Sequence, residues 1–121
     1  MVRSILDEAH IHPAIREKIS ANHADIVDEV QAAVAANKIV VVGMAQNPFP
    51  RKARKALNAL NLPYKYLEYG SYFGEWHRRN ALKMWTGWPT FPMIFVKGIL
   101  VGGTADLQKL IDSKEFARML D

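Results

Sequence analysis

Cysteine is missing from this sequence altogether: none occurs in 121 residues. That absence excludes disulfides, thiolate metal ligands and any thiol chemistry supplied by the chain itself. Long apolar runs are missing too. No stretch approaches the roughly 18 residues a membrane-spanning helix needs, so no membrane partner is expected. The first residues, Met1-Val2-Arg3-Ser4-Ile5-Leu6-Asp7-Glu8, place acids where a secretory signal would be apolar. A soluble, cytoplasmic protein is the expectation. There is no glycine-rich phosphate loop and no nucleic-acid motif, so the net charge of +4 does not argue for a polynucleotide partner. The basic excess gathers at Arg51, Lys52, Arg54 and Lys55, and again at His77, Arg78, Arg79 and Lys83. It reads as solvated helix faces. His10, His12, His23 and His77 show no metal-ligand spacing, and no metal site is expected.

What the chain does have is a single domain's worth of apolar residues, half of the total. Residues 1–23 read as an N-terminal helical extension, broken at His12-Pro13, with a short helix over 14–20. Residues 24–121 read as the main domain. Ile26, Val27, Val30, Ala33 and Val34 recur at helical spacing and predict a helix over 24–36. Lys38-Ile39-Val40-Val41-Val42-Gly43 is a continuous β-branched run, the pattern of a central strand buried on both faces. A loop follows, then a helix over 51–60 with Ala53, Ala56, Leu57 and Leu60 on one stripe. Residues 64–69 read as a strand and residues 75–86 as a helix. Residues 92–97 and 99–102 read as two strands around a tight turn at Lys97-Gly98. Thr104 is placed to cap a helix over 105–112, and residues 114–120 form a last helical segment. The β-α-β opening demands a parallel pair with a right-handed crossover, and the closing pair is an antiparallel hairpin.

Three stretches carry more specific information. They are Met44-Ala45-Gln46-Asn47-Pro48-Phe49-Pro50 after the first strand, Trp88-Pro89-Thr90-Phe91-Pro92, and Val101-Gly102-Gly103-Thr104-Ala105-Asp106. In this order and separation they resemble the glutaredoxin branch of the thioredoxin-like superfamily, most closely the monothiol class with Cys-Gly-Phe-Ser at its active site. The resemblance covers about residues 36–112. It implies an α/β fold, a four-stranded mixed sheet flanked by helices.

Laid on that pattern, Asn47-Pro48-Phe49-Pro50 occupies the Cys-Gly-Phe-Ser tetrad. Phe49 is kept. Asn47 stands at the nucleophile and Pro50 at the serine. A carboxamide neither ionises near neutrality nor attacks a disulfide, so exchange by the usual route is lost. Nor can it supply the thiolate by which such proteins, with glutathione, bind a [2Fe-2S] cluster. The resemblance places glutathione between the tetrad, the Thr-x-Pro wall and the Gly-Gly helix start. Pro92 is then cis, leaving the backbone of Phe91 to pair with an extended peptide. The N–H groups of Gly103 and Thr104 suit a carboxylate at a helix start, and Arg79 grips the glycyl carboxylate. Two family features are absent. Met44, Ala45 and Gln46 replace the lysine found before the cysteine, and Ala105 replaces an aspartate that meets the ligand's amino group, with Asp106 one residue on.

The expected function is that of a cysteine-less glutaredoxin relative that binds glutathione or a related thiol peptide without disulfide turnover. The alternative is a protein-interaction module using the same cleft, as monothiol glutaredoxins pair with BolA-type proteins. An enzyme with non-thiol chemistry has the least support, since no carboxylate pair or Ser–His pairing is visible near the loop.

Overall fold

The computed structural model describes residues 8–21, 23–45, 47–70 and 76–120. The long β-branched run becomes β1 (Ile39–Gly43), buried along its whole length. It lies at the centre of a four-stranded sheet in the order β2-β1-β3-β4. β2 (Lys65–Glu68) runs parallel to it, Val41 opposite Tyr66. β3 (Met93–Val96) runs antiparallel, Val41 opposite Ile94, and β4 (Ile99–Gly102) closes the hairpin on the outer edge.

Because strand side chains alternate, β1 feeds two cores at once. Val40 and Val42 pack with Ile26 and Val30 of α2 (Ala24–Ala36) and with Ala81 and Leu82 of α4 (Trp76–Thr86). Ile39 and Val41 pack on the other face with Ala53 and Leu57 of α3 (Pro48–Ala59), Leu107 of α5 (Thr104–Asp112) and Phe116 of α6 (Glu115–Leu120). Each fully buried Val, Ile or Leu here contributes roughly 1.5–3 kcal/mol. The mixed sheet with helices on both faces is therefore the expected one. Ahead of it, α1 (Pro13–Ala21) follows a single 3₁₀ turn at Glu8–His10 that the periodicity did not signal. No helix among the described residues is long and apolar enough to cross a membrane.

Several elements begin or end a residue or more away from expectation, and two of these shifts concern helix starts that meet the loops. α3 begins at Pro48 rather than at residue 51. Asn47 caps it, and both prolines fall in the first turn, where a missing N–H has no intrahelical acceptor to lose. α5 is capped by Gly103 and not by Thr104, which is already the first helical residue. Residues 71–75, which include the expected first residue of the helix over 75–86, lie outside the described residues.

Gly43 fixes how closely the α3 start approaches the sheet. A Cβ there would lie 2.8 Å from Pro50 Cβ and 3.0 Å from the Tyr66 hydroxyl. Gly43→Ala should lower stability by about 1–3 kcal/mol, the usual cost of overpacking, read as a shifted urea midpoint at constant m-value.

Tyr66 closes the same corner. Its hydroxyl donates to Glu68 Oε1 at 3.0 Å, and the Arg54 guanidinium lies 4.0 Å from its ring centroid. Burial, with the Glu68 hydrogen bond and charge, pushes its pKa up from 10.0 to about 12, against the pull of Arg54. A raised pKa means the folded state prefers the neutral phenol. Its stabilisation is full below pH 10 and is lost as pH rises toward 12. Alkaline unfolding titrations should therefore be flatter over that window for Tyr66→Phe than for the parent chain.

Candidate functional site

The carboxyl end of β1, the α3 start, the segment before β3 and the α5 start converge on one cleft. Such a place, outside the carboxyl end of a central strand and beside helix N-termini, suits anionic ligands. The cleft holds about 570 Å³ and is walled by Asn47, Pro48 and Phe49, by Trp88 to Pro92, and by Gly103 to Asp106, over Met44. A groove of similar size, about 580 Å³, opens at the other end of the sheet beside Asn37, Lys38 and Gly98, but no helix N-terminus faces it.

Asn47 ties two walls together. Its Oδ1 accepts from the Phe49 N–H at 3.0 Å, which is the α3 cap. Its Nδ2 donates to the Phe91 carbonyl at 3.3 Å, across the cleft floor. The Phe91–Pro92 peptide bond is cis, as the resemblance implies. Phe91 is buried, and its carbonyl accepts this side-chain donor on one of its two lone pairs. A second tie joins α3 to α5: the Thr104 hydroxyl donates to the Phe49 carbonyl at 2.6 Å.

The α5 start is shaped by Gly102, Gly103 and Asp106. Gly102 has φ +109, and a Cβ there would lie 2.6 Å from Asp106 Oδ2, so glycine alone fits. Asp106 accepts from the Gly103 N–H at 3.0 Å. Of the two amides expected to meet a carboxylate, Gly103's is thus already bonded. Those of Thr104 and Ala105 remain, since the first helical N–H groups have no acceptor within the helix.

Arg79 is not where the resemblance put it. It is 6% exposed, and its Nη1 donates to the Tyr69 carbonyl at 2.9 Å. It shares the inward face of α4 with Leu82 and completes the backbone hydrogen bonding at the end of β2. The cations of the cleft, among the described residues, are Lys52 and Lys83. The Lys52 ammonium stands 5.3 Å from the Phe49 ring centroid and that of Lys83 5.8 Å from the Phe91 ring centroid. Both lysines belong to the basic excess that the sequence reads as solvated helix faces. The Asn47 cap was also readable, as asparagine directly before proline at a helix start. The donor set does not fit an iron–sulfur cluster: where the thiolate would bind stands a carboxamide with both polar atoms hydrogen-bonded.

Asn47→Ala should cost about 1–3 kcal/mol by losing both the cap and the tie to Phe91, measured by urea unfolding. Asn47→Ser, which caps but cannot reach across, should recover part of that loss. Arg79→Ala should act on stability as well, by about 1–3 kcal/mol, because it removes a buried donor from the Tyr69 carbonyl.

The match to known proteins follows the same elements. A family model described as Glutaredoxin matches residues 39–101, from β1 into β4. A glutaredoxin-like protein of Dictyostelium discoideum is 47% identical over 91 residues, 75% of this chain and 74% of its own length. The crystal structure of oxidized glutaredoxin 2 from Chlamydomonas reinhardtii superposes with a TM-score of 0.70 at 28% identity, covering 82% of this chain and 94% of that one. The fold also matches a buckwheat glutaredoxin–glutathione complex, with a TM-score of 0.70 at 22% identity over 82% of this chain and 90% of that one. The sheet from β1 into β4 and the cis proline thus sit within the matched residues 39–101, more than half of the sequence, and the chain belongs to the glutaredoxin family as a member without cysteine.

Proposed function

We propose that this protein binds glutathione, or a closely related peptide, in the cleft between the starts of α3 and α5 and does not turn over disulfides. The observation that carries this reading is the gathering of positive groups around one apolar cleft. Lys83 and Lys52 lie toward the Phe91 and Phe49 walls, and the Thr104 and Ala105 amides lie at the α5 start. Glutathione carries two carboxylates, which suit positive groups of this kind. The buckwheat relative of the same fold was crystallised with glutathione, which supports the ligand class. Nothing in the cleft attacks sulfur. Binding without exchange follows from the chemistry of Asn47.

The cleft's residues divide the work. Apolar walls exclude water and strengthen each ionic contact. Lysine supplies point charge without the two-pronged grip of arginine, so orientation falls to the α5 amides. Asn47 keeps the walls at a set distance while offering no proton and no nucleophile.

Calorimetric titration with glutathione should give saturable, one-to-one heat. Lys83→Ala should weaken it by about 1–3 kcal/mol, the range for a lost charge-assisted hydrogen bond, without changing the urea midpoint. No heat with the parent chain would refute the reading. A reductase-coupled assay on a glutathione mixed disulfide should show no turnover above buffer.

A further inference from the structure

The absence of sulfur chemistry has a bearing on what the ligand's own sulfur carries. A free thiol is useful to a protein that exchanges it. Here the position that would meet that sulfur holds Asn47, whose Oδ1 is bonded to the Phe49 N–H and whose Nδ2 is bonded to the Phe91 carbonyl. The chain gives an incoming thiol neither a covalent partner nor a base.

The surface around that position is apolar. Phe49 follows Asn47 and Pro48 on the cleft wall, and 52% of it remains exposed. Met44, Trp88 and Pro89 continue the wall, and the Lys52 ammonium over the Phe49 ring holds it at the rim. An exposed apolar group at the mouth of a cleft with room for a drug-sized ligand is surface that binding would cover.

We infer that the preferred ligand is glutathione whose sulfur already bears a carbon substituent, a thioether conjugate, with the tripeptide in the charged cleft and the substituent laid against Phe49. The inference rests on the glutathione reading above and adds to it the state of the sulfur. The driving force is burial of the substituent. Each methylene taken from water onto this wall is worth about fourfold in affinity. The free thiol gains nothing comparable, and the conjugate loses nothing, because no group on the chain uses the S–H.

Calorimetric titration of the full chain with glutathione, S-hexylglutathione and hexanoate tests this. S-hexylglutathione should bind at least about tenfold more tightly than glutathione, as expected if a few of its methylenes are covered. Hexanoate should bind far more weakly than either. In Phe49→Ala the ratio of the two tripeptide affinities should fall toward one. The Thr104 tie survives that substitution because it uses the Phe49 backbone carbonyl. Glutathione binding as tightly as its thioether, or a ratio unmoved by Phe49→Ala, overturns the inference and leaves the glutathione reading standing. Hexanoate matching S-hexylglutathione overturns it as well, by showing that the alkyl chain alone is recognised. Binding of neither tripeptide refutes the glutathione reading itself.

Discussion

Everything in this fold leans on a strand that can face no water. β1 is buried on both sides, so each of its neighbours is fixed by the need to cover it: α2 and α4 over Val40 and Val42, and α3, α5 and α6 over Ile39 and Val41. The chain must leave such a strand at its carboxyl end through a loop and return over one face. Gly43 permits that departure by letting Pro50 close against the backbone. The cleft lies there because the core allows the helix starts no other place.

Asn47 serves this fold as a fastener. Asn47 caps α3 and crosses to Phe91, and Thr104 crosses to Phe49. Three walls are joined by hydrogen bonds that do not depend on the redox state of any side chain.

Much of this was legible in the sequence because it rests on local signals. The β-branched run of β1, the turn at Lys97-Gly98 and the Trp88-to-Pro92 and Gly102-Gly103 segments declare themselves by composition and spacing. The α5 cap was misplaced by one residue because threonine is a common cap and Gly103 leaves no side-chain signal; Asp106 supplies the bond instead, from within the helix. Arg79 was assigned to the ligand's glycyl carboxylate by its place in the resemblance. The phase of α4 decides otherwise, since Arg79 shares the face of Leu82, and the carbonyl of Tyr69 gives it an acceptor. Lys83, one turn further along the same face of α4, lines the cleft instead, a distinction of axial position that no short motif encodes.

Pro48 has one more effect, on the chemical lifetime of the residue before it. Asparagine commonly loses its side-chain amide when the next residue's backbone nitrogen attacks the side-chain carbonyl and closes a ring. The nitrogen of Pro48 is tertiary and carries no hydrogen, so that ring cannot form. Asn47 is thereby protected from drifting, as the protein ages, into an aspartate that would present a negative charge to the Phe91 carbonyl. The proline that opens α3 also preserves the uncharged side chain on which the cleft is fastened.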